Sequence, residues 1–97
     1  MNNVGINGFG RIGRSILRII VESNSDLSVV AINDLGDREN LVYLFKHDSI
    51  MGVLDLHVEL KGDDLIVGDR IIKLISYDDP ANIPWSDLGV DLVVEST

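Results

Sequence analysis

Gly8, Gly10 and Gly13 form a G-x-G-x-x-G pattern between a short apolar run, Val4–Asn7, and an amphipathic one that starts at Arg11. Such glycines act through the backbone. Gly8 permits a sharp strand-to-helix turn, Gly10 lets the main chain approach a diphosphate closely, and Gly13 lets the helix pack tightly on the strand. The N–H groups of Arg11 and Ile12 then face the phosphates, at the positive end of the helix dipole. That dipole contributes about 0.3–1 kcal/mol toward a nearby anion. The second half of the pattern is Asp34, which closes the next apolar run 21 residues past Gly13. Its carboxylate can accept hydrogen bonds from both ribose hydroxyls of an adenosine, each charge-assisted bond being worth roughly 1.5–3 kcal/mol. It repels a 2′-phosphate by about 4 kcal/mol at about 4 Å and an effective dielectric near 20, before screening. The pattern predicts a dinucleotide site that prefers NAD to NADP. Glycines alone would be weak evidence, since a tight turn and a loop-capping Asp34 could use the same residues. The order strand, loop, helix, strand, acid is what carries the reading.

The elements that must position these residues follow from periodicity. Ile12, Ile16, Leu17, Ile19, Ile20 and Val21 recur at helical spacing over Arg11–Glu22, with arginines on the other face. Asn24 and Ser25 are expected to stop that helix. Leu27–Ile32 is nearly continuous and β-branched, as in a central parallel strand covered on both faces. Asp37 is placed as the N-cap of a second helix running to Lys46, with Leu41, Leu44 and Phe45 as its buried stripe. Beyond Met51-Gly52, His57–Lys61, Leu65–Val67 and Ile71–Ser76 read as short strands joined by turns at Gly62-Asp63-Asp64 and Gly68-Asp69. Helical turns are expected at Asp79-Pro80 and Pro84, and a last strand at Asp91–Glu95. This order predicts an α/β fold: a Rossmann-type doubly wound parallel sheet, truncated after its fourth main strand, with a small antiparallel meander inserted at about residues 57–76. The last strand is expected to be an apolar sheet edge open to association.

Composition narrows the classes. The chain has 97 residues, 45% hydrophobic and 25% charged, which excludes disorder and low-complexity tracts. A chain of this size buries only about 60–65% of the surface its unfolded form exposes, so its stability margin is thin. Zero cysteines exclude disulfides, thiolate metal sites and a cysteine nucleophile within these residues. No run is long enough to span a bilayer and no secretion signal is visible, which reads as a cytoplasmic protein without a membrane partner. The net charge of -8 argues against nucleic acid. Residues 1–25 hold Arg11, Arg14 and Arg18 against Glu22 alone, so the only positive stretch surrounds the glycine loop.

With these residues in place, the sequence resembles the N-terminal part of phosphorylating glyceraldehyde-3-phosphate dehydrogenase. The carrying segments are INGFGRIGR at 6–14, AINDL at 31–35, LFKHDSIMG at 44–52, DPANIPW at 79–85 and LGVDLVVEST at 88–97. The resemblance implies NAD bound by Asn7, Gly8, Gly10, Arg11, Ile12 and Gly13, with Asp34 on the adenosine ribose and Asn33 lining the adenine pocket. Ser96 and Thr97 match strand-end residues that border the cofactor crevice. It implies a parent enzyme that is a cytoplasmic homotetramer of glycolysis, oxidising glyceraldehyde 3-phosphate with NAD and inorganic phosphate to 1,3-bisphosphoglycerate. The cysteine thiolate and histidine base of that reaction lie beyond residue 97, so residues 1–97 are expected to be the N-terminal portion of a dinucleotide-binding domain, without the catalytic domain and inactive alone. No catalytic or metal residue is assigned within them. The family commonly has Arg or Lys just before DPA, where this chain has Asp78; His47, where Tyr is frequent, reads as a packing variation.

Two alternatives stay open: an erythrose-4-phosphate dehydrogenase-like enzyme, which shares the glycine loop, and a non-catalytic nucleotide-binding module. Trp85 reads as a loop anchor rather than an adenine stacker. Asp63, Asp64 and Asp69 read as turn residues rather than a cation site. Arg14 and Arg18 read as a solvated or subunit-facing surface.

Overall fold

The computed structural model describes residues 2–23, 26–47 and 56–97. The elements are β1 (Asn2–Asn7), α1 (Arg11–Glu22), β2 (Leu27–Asn33), α2 (Arg38–Lys46), β3 (Val58–Lys61), β4 (Asp64–Val67), β5 (Arg70–Ile75), a 3-10 turn (Pro80–Asn82) and β6 (Leu92–Glu95). Six strands form one sheet in the order β3-β4-β5-β2-β1-β6. β2 lies between β1 and β5, and β6 flanks the other side of β1; all three of these pairings are parallel. β3 and β4 extend the sheet beyond β5 as antiparallel strands. The expected antiparallel meander is present as β3, β4 and β5, and it joins the parallel core through β5, which pairs with β2.

Both hairpin turns have glycine first, Gly62 and Gly68, each at φ +63. A glycine at that position suits a tight two-residue connection, because it takes positive φ without a Cβ clash. Asp37 caps α2 by accepting the Asn40 N–H at 3.1 Å, and Asp79 caps the 3-10 turn by accepting the Ala81 N–H at 3.0 Å. Pro84 opens the second expected helical turn, a single one closed by Leu88 N–H to Pro84 O at 3.1 Å. α1 ends at Ser23, whose N–H bonds Ile19 O at 3.0 Å; Asn24, Ser25 and Met51-Gly52 lie outside the described residues.

The core joins Ile6 of β1, Leu17 and Ile20 of α1, Ile32 of β2, Phe45 of α2 and Leu65 and Ile72 of the meander. Each such side chain stabilises the fold by roughly 1.5–3 kcal/mol when fully buried. Phe9, one residue past Gly8, packs its ring 5.8 Å from that of Phe45 and so fixes the loop to α2. Three expectations are corrected. Ile12 and Ile19, two turns apart on α1, are exposed, because Gly13, Leu17 and Ile20 already fill the face toward the sheet. Leu44 is likewise exposed, and Leu41 and Val42 pack beside Phe45 instead. Arg18 is buried, not solvated: its Nε pairs with Glu22 Oε1 at 3.3 Å one turn on, which lets the stem pack while the head stays paired.

Gly5 faces the opposite side of the sheet. A Cβ there would lie 2.5 and 2.7 Å from ring carbons of Trp85, so Trp85 anchors the segment before β6 across β1. Gly5→Ala is expected to cost about 1–3 kcal/mol through overpacking, read by urea unfolding, with a changed emission from Trp85, the chain's single tryptophan. At the other end, Arg38 of α2 pairs with Asp63 in the β3–β4 turn. The hydrogen bond first, and then the charge, of that guanidinium hold the Asp63 carboxyl below its ordinary value of 3.8. A depressed carboxyl contributes stability above its unfolded pKa and loses it as pH falls through the folded one. Asp63→Asn should therefore melt slightly below the parent at neutral pH, with the gap closing as pH drops below 3.8.

Candidate functional site

The turn leaving β1 depends on Gly8, at φ +97. A Cβ on it would lie 2.7–2.8 Å from backbone atoms of Ser96 and Thr97. Its N–H donates to Asn33 O at 2.8 Å, and its carbonyl accepts the Ser96 hydroxyl at 2.5 Å. Gly13 sits beneath the turn: a Cβ there would collide with the Gly8 carbonyl and approach the Ile6 side chain at 3.1 Å. Gly10 is different. It has an ordinary φ of -81 and is the N-cap of α1, with no side chain to cap it. A Cβ on Gly10 would meet nothing within 4 Å. Nothing among the described residues requires glycine there, while the space it leaves opens into a cleft. The N–H groups of Arg11 and Ile12 begin α1 with no partner among the described residues, as helix geometry demands of a first turn.

Asp34 ties this loop to the next crossover. Its Oδ2 accepts the Phe9 N–H and its Oδ1 the Gly36 N–H, both at 2.7 Å. A carboxylate has about four acceptor positions, so two amides orient the group and leave the remaining lone pairs for further donors. Beside it a polar chain crosses the strand ends. Glu95 of β6 accepts both-oxygen contacts from Asn7 Nδ2, at 3.1 and 2.9 Å. Asn33 donates to Asn7 Oδ1 at 2.9 Å and to Tyr77 O at 3.0 Å, and accepts the Tyr77 N–H at 2.7 Å. Asn7 and Asn33 are both buried. Buried amides need partners, and here their partners fasten β6, β1, β2 and the segment after β5 into one rim.

That rim encloses a cleft of about 560 Å³ at the carboxyl ends of the strands, where the direction of strand order reverses. Asn7, Gly8, Gly10, Asn33, Asp34, Ser96 and Thr97 line it, as do Leu35, Tyr77, Asp78, Pro80 and Glu95. Of the expected site residues, Gly13 supports the turn from below, and Arg11 and Ile12 lie at the first turn of α1, outside the lining. The Asn33 side chain is committed to the rim, so its polar atoms serve the wall more than a ligand. Glu95 and Tyr77 were not singled out from sequence. Glu95 becomes visible only through the parallel register that places it opposite Asn7, and Tyr77 enters through its backbone, which no side-chain pattern reveals. His47 is exposed at the end of α2, its ring 4.6 Å from that of Tyr43 and away from the cleft. Among the described residues no group of His, Cys, Asp and Glu is arranged to hold a metal ion, and no helix is long and apolar enough to cross a membrane.

Residues 2–97 match the family described as glyceraldehyde 3-phosphate dehydrogenase, NAD binding domain. The chain belongs to that family. It is 49% identical over 94 residues to a glyceraldehyde-3-phosphate dehydrogenase of Streptomyces coelicolor, covering 97% of this chain and 28% of the relative. The glyceraldehyde-3-phosphate dehydrogenase of Geobacillus stearothermophilus is also 49% identical over 94 residues, with the same two coverages. That of Mycolicibacterium smegmatis is 50% identical over 101 residues, covering 97% of this chain and 30% of the relative. The chain thus spans less than a third of the length of these relatives. The family fixes the cofactor as NAD and agrees with the Rossmann-type α/β sheet. The cleft fits such a group: an open approach at Gly10, unpartnered amides beside it and an oriented carboxylate across from them.

The rim itself is testable. Asn33→Leu leaves the buried Asn7 Oδ1 and the part-buried Tyr77 N–H without their partner, and an unsatisfied buried group costs about 1–3 kcal/mol. The variant should lose stability in urea, and hydrogen exchange should quicken at Tyr77.

Proposed function

We propose that this chain is the N-terminal portion of the cofactor-binding domain of an enzyme that oxidises glyceraldehyde 3-phosphate with NAD and inorganic phosphate to 1,3-bisphosphoglycerate, as a cytoplasmic homotetramer in glycolysis. The observation that carries the reading is the pairing of a vacant Cβ direction at Gly10 with the amide-oriented carboxylate of Asp34 on the same cleft.

In this reading the Arg11 and Ile12 amides hold the diphosphate, with Gly8 and Gly13 fixing their direction and Gly10 leaving room. Asp34 takes the two ribose hydroxyls with its remaining lone pairs. Asn7 and Asn33 keep the strand ends in place, and Ser96 and Thr97 border the part of the cleft beside β6. Bound NAD supplies the hydride acceptor of the reaction. These 97 residues contain no cysteine, so the thiolate of the family reaction is drawn from the rest of the longer polypeptide. A polypeptide of these residues alone binds NAD without phosphate-dependent NADH formation.

Gly10→Ser separates this reading from a merely structural loop. Serine is a good N-cap, so stability should hold or rise by a few tenths of a kcal/mol. The added side chain occupies the diphosphate approach, and NAD affinity measured by calorimetry should fall about tenfold or more, a change of about 1.4 kcal/mol per decade. Unchanged affinity would remove the role given to the loop. Asp34→Asn should weaken NAD by about tenfold, consistent with losing charge-assisted bonds of roughly 1.5–3 kcal/mol.

A further inference from the structure

We propose that Asp78 is a second specificity residue, acting with Asp34 to exclude nucleotides that carry a phosphate on the adenosine ribose. The inference rests on the NAD reading of the cleft and deepens it. Three hydrogen bonds staple the end of β2 to the segment after β5: Asp34 N–H to Ile75 O at 3.0 Å, Asn33 Nδ2 to Tyr77 O at 3.0 Å, and Tyr77 N–H to Asn33 Oδ1 at 2.7 Å. They bring the segment that carries Asp78 to the end of β2, and Asp34 and Asp78 line the same cleft. Glu95 lines it too but is held by Asn7 at the β6 end. No Lys, Arg or His is among the described residues that line it, and Arg38, which shares a smaller cavity with Asp34, is paired with Asp63.

Asp34 and Asp78 line one cleft, and a charge acts over the Debye length of about 8–10 Å at ordinary ionic strength. A 2′-phosphate placed at Asp34 is therefore inside the field of Asp78 as well. Asp34 bonds the hydroxyls and repels the phosphate at contact. Asp78 adds repulsion from a position with no hydrogen-bond partner among the described residues, so its effect is electrostatic and screenable.

The test measures NAD and NADP affinities of the full protein and its Asp78→Asn and Asp78→Lys variants by calorimetry. It is run at about 0.01 M and about 1 M salt, where the Debye length is about 30 Å and about 3 Å. At low salt, Asp78→Asn should raise the NADP-to-NAD affinity ratio about threefold to tenfold and Asp78→Lys should raise it further. At high salt both gains should collapse. If the parent binds NAD but the ratio is unmoved in both variants, or moves equally at both salts, the inference fails by itself. If the parent binds no NAD, the reading of the cleft fails and the inference with it.

Discussion

The carboxylate of Asp34 accepting the Phe9 N–H is the contact on which the site depends. It crosses from the end of β2 to the turn leaving β1, joining two loops that the sheet alone would leave side by side. A backbone amide in a glycine-rich turn is otherwise free to rotate away. Fixing it also fixes the entry of α1, because Phe9 is pinned at its other end by its ring against Phe45. The first-turn amides of α1 then point in a direction set by the core rather than by the ligand. That is preorganisation in a literal sense: ordering entropy is met during folding, and binding does not have to meet it again.

The same logic explains the polar rim. Parallel strands end with backbone groups and side chains crowded at one edge, and a ligand site there must satisfy them without filling the space. Asn7 and Asn33 do so with each other, with Glu95 and with the backbone of Tyr77. The cost is a cleft whose described lining holds three carboxylates and no cation. Such a cleft suits a ribose diol and an adenosine without further phosphate. In the proposed reading the diphosphate falls to the helix end, where neutral amides and a dipole would do the work that basic side chains do elsewhere.

Much of this was legible in the sequence. Gly8 and Gly13 could be placed because positive φ and close helix approach are demands only glycine meets. Asp34 followed from chain order. The helices and hairpins followed from period and from Gly62 and Gly68 as turn residues. What escaped depended on three-dimensional neighbours. That β5, the last strand of the meander, also pairs in parallel with β2 escaped because hydrogen-bond partners across a sheet are not encoded in spacing. Arg18 looked solvated because a lone arginine pattern does not reveal that Glu22 can pair it in place. The exposure of Ile12, Ile19 and Leu44 shows the limit of helical periodicity, which counts apolar positions without knowing how many the sheet can cover.

The central claim, that first-turn amides of α1 and the Asp34 carboxylate together hold a nucleoside diphosphate sugar, is tested most directly by following backbone amide resonances while ADP-ribose is added. The account predicts saturable shifts at Arg11 and Ile12, with smaller ones at Phe9 and Gly36 as Asp34 engages the diol, and none in the hairpin turns at Gly62 and Gly68. Saturable shifts that leave Arg11 and Ile12 unmoved would contradict it.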